Sequence, residues 1–181
     1  SVGMAAAQLV EAAKMLRALE DRTGVCVHLD LEPEPGCVLD VSQDVVDLFE
    51  QAFRPSDGVD HRRYLRVCHD VCHAAVMFEP QTAALRTYRE HEIGVGKIQV
   101  SSAIEVDFDA IDDEEERART LDAYRGFVEP RYLHQTMIRT GDEPHFDAEF
   151  FEDLPIAIAN RAEHQMPTGI WRTHFHVPIF T

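Results

Sequence analysis

Segments of β-type alternation separated by segments of helical periodicity predict an α/β fold on a parallel sheet. Three observations carry the prediction. Apolar side chains recur every second residue in short runs and every three to four residues in the stretches between them. Glycine and proline clusters fall at the joints. No repeat, low-complexity tract or interdomain linker interrupts the order, so residues 1–181 read as a single domain. Two architectures satisfy that order, an open doubly wound sheet and a (β/α)8 barrel. About five strands are legible, whereas a barrel takes roughly 200 residues or more. The chain also opens on a helix and closes on a strand, so a central and C-terminal piece of a longer polypeptide is expected.

Residues 4–20 form the first helix, with Gln8, Glu11, Lys14 and Arg17 on a polar stripe and Leu9, Ala13, Leu16 and Leu19 on another face. Gly24 ends it. Residues 25–31 form a strand that stops at Glu32-Pro33-Glu34-Pro35-Gly36, because proline cannot donate to a sheet. Asp40 and Gln43 have capping-box spacing, and Val45, Val46, Phe49 and Phe53 line the helix that follows. A turn at 55–58 leads to a strand over 64–69. Helical residues 71–78 break near Pro80 and resume over 81–91. Residues 97–106 form a third strand. The acidic run 112–116 opens a helix to about 127, where its charge complements the helix dipole. A strand over 131–138, a loop over 140–153, a short helix over 155–163 and a strand over 170–180 complete the order.

The formal net charge of −16 disfavours a nucleic-acid partner, since phosphate is repelled. No apolar run approaches the roughly 20 residues that span a bilayer, and no signal peptide is visible, so a cytoplasmic protein without membrane insertion is expected. Four cysteines are too few for a disulfide scaffold. Cys68 and Cys72 are three residues apart, and Cys26 and Cys37 form no tight pair, which disfavours a four-thiolate zinc site. Small buried hydrophobes are the plainer reading of Cys26 and Cys68.

Chemistry in such folds collects at the carboxyl ends of the strands. Those ends carry Glu32, then Asp70 with His73 in the first turn of the next helix, then Gln99 and Ser101 on one face, and finally His174 and His176. Asp-x-x-His at a strand-to-helix junction aims a carboxylate and an imidazole at one point, a donor set suited to zinc, manganese or iron. Asp70 also reads as an ordinary helix cap. On the last strand Trp171, Thr173, Phe175, Val177 and Ile179 alternate with Arg172, His174 and His176. That pattern places two imidazoles on the inner face of a barrel, and it equally describes an antiparallel or edge strand.

Five stretches together resemble a known family: 28–36 around Glu32, 67–76 around Asp70 and His73, 96–103 around Gln99, 131–135 around His134, and 171–178 around His174 and His176. They resemble the EboE-type metabolite-traffic proteins of the xylose-isomerase-like TIM-barrel superfamily, which also holds sugar isomerases, epimerases and apurinic endonucleases. The resemblance implies a (β/α)8 TIM barrel with Glu32, Asp70, His73, His174 and His176 as metal ligands. It places Gln99 where many relatives carry a metal-binding histidine or acid, and His134 at a later ligand or substrate position. The superfamily's metal-binding glutamate on the closing strand lies beyond the sequence.

The activity so implied is a metal-dependent isomerisation or epimerisation of a sugar, cyclitol or related polyol, with zinc or manganese as the divalent cofactor. Glu32, His174 and His176 are the expected proton carriers. Gln99, Ser101, His134 and Arg172 are the expected substrate contacts, Arg172 either on a substrate anion or paired with a glutamate. A non-catalytic carrier on the same fold, working with partner proteins of one metabolite pathway, is the alternative. Phosphodiester hydrolysis is disfavoured by the charge and by Gln99.

Overall fold

A computed structural model describes residues 2–53, 59–141, 147–162 and 165–175. The chain divides into two compact units, one of Ser1–Ala74 with Glu79–Val100 and one of Ala75–Phe78 with Ser101–Thr181.

The first unit contains α1 (Val2–Thr23), β1 (Leu29–Leu31), α2 (Ser42–Ala52), α3 (His61–Tyr64), β2 (Leu65–Asp70), the start of α4 (Val71–Val76), α5 (Gln81–Glu90) and β3 (Val95–Gln99). Its three strands run parallel in the order β1-β2-β3, Leu31 facing Val67 and Asp70 facing Gln99. The apolar stripe anticipated for α2 forms its core: Val45, Val46, Phe49 and Phe53 are buried with Leu65, Val67 and Tyr88. The Phe49 and Phe53 rings meet edge to face at 4.9 Å. The cap of α2 lies one residue beyond the expected box. Asp44, not Gln43, reaches back, accepting from the Asp40 and Val41 amides at 2.9 and 3.0 Å. An aspartate at that place satisfies two orphan donors and suits the helix dipole.

The second unit contains β4 (Ser102–Asp107), α6 (Glu114–Arg125), β5 (Thr136–Thr140), β6 (Asp147–Phe151), α7 (Leu154–Arg161) and β7 (Ile170–Phe175). Its sheet has the order β4-β7-β5-β6, and every pairing is antiparallel. It follows that β4 and β5 run parallel with β7 between them, and β6 and β7 run parallel with β5 between them, so α6 and α7 are split crossovers. Trp171 is wholly buried at the centre, with Phe108 and Tyr124 edge-on at 5.4 and 6.3 Å. The acidic run caps α6 as expected, Asp113 accepting from the Glu115 amide at 3.1 Å. Gly169 enters β7 at φ +80°, and a Cβ there would lie 2.5 Å from the Arg139 carbonyl oxygen. Only glycine fits both conditions.

The TIM barrel, xylose-isomerase-like or otherwise, does not form. Among the described residues neither sheet closes on itself, and the second contains no parallel neighbours. The cause lies in one expected strand. Residues 97–106 split after Gln99 into β3 and β4, which belong to different sheets. The expected loop over 140–153 contains β6, which forms a hairpin with β5. The alternation of the last strand is that of an antiparallel strand. The expected strand over 25–31 narrows to Leu29–Leu31, and 176–180 lie outside the described residues. Among the described residues no helix is long and apolar enough to cross a membrane.

Candidate metal centre

All three strands of the parallel sheet end on the same edge, so Glu32, Asp70 and Gln99 leave β1, β2 and β3 side by side. Asp70 sits at the junction of β2 and α4. Its Oδ1 accepts the Cys72 and His73 amides at 2.7 and 3.1 Å, turning the chain into the helix. Capping uses one oxygen of the carboxylate. The other, Oδ2, accepts from Gln99 Nε2 at 3.0 Å, and the same amide nitrogen donates to Glu32 Oε1 at 2.5 Å.

The first turn of α4 brings His73 to the same edge. Its Nδ1 lies 3.0 Å from the Pro33 carbonyl and 3.5 Å from Glu32 Oε1. Both neighbours are acceptors, so Nδ1 carries the proton and the ligating lone pair resides on Nε2. Anchoring one imidazole nitrogen on a backbone carbonyl is the way metal-binding histidines are oriented. One donor atom from each of Glu32, Asp70 and His73 lies within 4.8 Å of the others. Two carboxylates and an imidazole in that space fit a divalent cation.

Burial is uneven across the centre. Asp70 and His73 are 3 % and 6 % exposed, while a third of the Glu32 side chain reaches solvent. A carboxylate as buried as Asp70 is costly unless donors surround it, and its two backbone amides and the Gln99 amide supply them. Cys68 is buried below, and its thiol is pushed up to about 11, first by burial and then by the neighbouring Glu32 carboxylate.

The structure therefore brings Glu32, Asp70, His73 and Gln99 together. Ser101, His134, Arg172 and His174 belong to the second unit, and His176 lies outside the described residues. Ser101 falls between β3 and β4. His134 is buried just before β5, its backbone N–H on Asp153 Oδ1 at 3.0 Å and its ring 4.8 Å from that of Phe175. His174 is buried in β7, where its amide donates to the Gln135 carbonyl at 2.9 Å. Arg172 takes the Glu-paired alternative: its Nε lies 2.7 Å from Glu105 Oε2, and its Nη1 donates to the Ala75 carbonyl at 2.9 Å. Its guanidinium also stacks 4.2 Å from the centre of the Phe78 ring. His69 turns to α5, with Nε2 at 2.6 Å from Gln81 Oε1.

Two participants escaped the sequence reading. Lys97 donates to Gln99 Oε1 at 2.5 Å, and its place two residues before Gln99 was a period-two signal for the same face. The Pro33 carbonyl has no such signal, because every residue carries one. The chain matches no protein-family model, no curated protein and no solved structure, so the functional reading rests on this geometry and on the motifs themselves.

Proposed function

We propose that Glu32, Asp70 and His73 hold one divalent transition metal, zinc or manganese, and that the site isomerises or epimerises a sugar, cyclitol or related polyol. The observation that carries the reading is the convergence of the three donors within 4.8 Å at the carboxyl edge of a parallel sheet. When bound, such a cation acts as a Lewis acid on neighbouring substrate oxygens. Asp70, capped into α4, is a fixed ligand. His73, held by Pro33, is an oriented one. Glu32 is the carboxylate open to solvent, and in this reading it takes a proton from substrate carbon and returns it. The motif resemblance to the EboE-type proteins supports a small polyol over a polymer, and the net charge of −16 weighs against nucleic acid.

Elemental analysis of the purified protein tests the centre. Wild type retains close to one equivalent of metal. Asp70→Asn, which keeps the capping oxygen but removes the charge, and His73→Ala each lower metal affinity at least tenfold. Unchanged affinity in both variants overturns the assignment. Solvent deuterium entering a substrate C–H bond, lost in Glu32→Gln, then tests the reaction. A metal-stripped protein that exchanges at the wild-type rate refutes it.

A further inference from the structure

The side chain of Gln99 occupies an unusual position for an amide. Its Nε2 stands between two carboxylates, Glu32 at 2.5 Å and Asp70 at 3.0 Å, while its Oε1 accepts from the Lys97 ammonium at 2.5 Å. The orientation is dictated by chemistry, because carboxylates only accept and an ammonium only donates. The amide NH2 therefore plays the part of a weak cation for Glu32 and Asp70.

From this we propose that Gln99 and Lys97 form a latch that couples metal binding to capture of an anionic substrate. The inference rests on the metal reading above. A cation drawn between Glu32 and Asp70 repels the amide hydrogens. Half a turn of the terminal amide replaces them with Oε1, a hard oxygen suited to a divalent ion. The same turn presents Nε2–H to Lys97, donor against donor, and Lys97 lets go. The ammonium belongs to the exposed middle residue of β3 and reaches the cluster through Gln99 at the strand end. With two carboxylates neutralised by a divalent cation, the released Lys97 leaves the site positive by one charge. The substrate class that fits is a polyol carrying a carboxylate or a phosphate, its vicinal oxygens at the metal and its anionic group on Lys97. By linkage, metal and anion each strengthen the binding of the other.

Lys14 and Lys97 are the only lysines, so lysine-selective isotopic labelling yields two side-chain signals, and Lys97→Met assigns them. Addition of zinc to the full chain shifts the Lys97 signal and leaves Lys14 in place. Calorimetric titration with manganese gives the energetic test. Lys97→Met binds manganese about tenfold more tightly than wild type, the worth of one hydrogen bond to a charged group. In a Gln99→Ala background the same lysine change has no effect, because Lys97 acts through Gln99. If Lys97→Met tightens binding equally with and without Gln99, simple charge repulsion explains it and the latch is wrong. Glycerate, glycerol 3-phosphate and glycerol then separate the substrate arms. Glycerate or glycerol 3-phosphate binds the manganese-loaded wild type about tenfold more tightly than Lys97→Met, whereas glycerol does not distinguish them. Equal binding of all three to both proteins overturns the anionic substrate. Absence of metal binding by wild type refutes the underlying site, whereas binding insensitive to both Lys97 and Gln99 refutes the latch alone.

Discussion

Thr173 shows how much one hydroxyl settles in this molecule. Tyr124 donates to Thr173 Oγ1 at 2.6 Å, Thr173 lies 2.8 Å from Thr136 Oγ1, and Thr136 donates to the His134 carbonyl at 2.9 Å. Since Thr136 spends its proton on the carbonyl, Thr173 is the donor of the middle bond. The relay runs one way through fully buried residues, and burial pushes the Tyr124 phenol far above its ordinary range. Thr173→Val leaves the Tyr124 hydroxyl without its acceptor and costs about 1–3 kcal/mol, the penalty of a buried unsatisfied donor. Thr173→Ser keeps the relay and costs about 1 kcal/mol for the lost methyl. Equal losses in urea denaturation of the two variants contradict the relay. Asp70 teaches a related lesson about reading residues one at a time. Cap and ligand were rival readings of it in the sequence. A carboxylate has two oxygens, and the structure gives one to the helix and turns the other toward Gln99 and the cluster.

Elements were legible where their boundaries carry chemistry. Asp113 at the start of α6 and Gly24 after α1 mark real ends. The break after Gln99 was not legible: Val100, Ser101 and Ser102 contain neither proline nor glycine, and the alternation from Lys97 to Val106 runs on across them. What separates β3 from β4 is the choice of partner, and strand pairing is tertiary. The link between α1 and α3 depends on Glu20. Its Oε2 accepts from Tyr64 at 2.6 Å and Arg63 Nε at 3.0 Å, and a second Arg63 nitrogen donates to Oε1. Arg63 first, then Tyr64, hold the Glu20 carboxyl down at about 2 against an ordinary 4.5. A depressed carboxyl stabilises the fold above its unfolded pKa, and that contribution is lost as pH falls from about 4.5 through about 2. Acid titration followed by circular dichroism is therefore expected to show less loss of stability across that window in Glu20→Gln than in wild type. Parallel titration curves count against the clamp.

At the level of the whole chain, two cores form from two kinds of sheet. Leu65, Val67 and Phe49 belong to one and Trp171, Phe108 and Ile138 to the other. The candidate metal centre lies in the unit of the first, and the single tryptophan lies in the second. A ligand that binds only the folded state adds about 2.7 kcal/mol at a hundredfold excess over its Kd. Zinc is accordingly expected to raise the melting transition seen by far-ultraviolet circular dichroism in wild type and not in His73→Ala. Equal shifts in the two proteins count against a metal site at His73. The contrast between the sheets also explains why the local candidate site survived an error in the fold. Strand tips of the parallel sheet follow a rule that holds for any α/β arrangement, so Glu32, Asp70, His73 and Gln99 could be grouped without knowing whether the sheet closes. His174 was grouped with them by the same rule, as the tip of one more parallel strand, and β7 is an antiparallel strand of the other sheet.

The shortest strand of the parallel sheet leads into the most exposed residue of the candidate centre. β1 keeps three residues, paired on one side only, and Glu32 follows directly after it. An ion gripped by Glu32 and Asp70 would rivet that outer ribbon to its inner neighbour. Fraying of the margin and escape of the ion would then be a single event, and the lifetime of one would set the lifetime of the other.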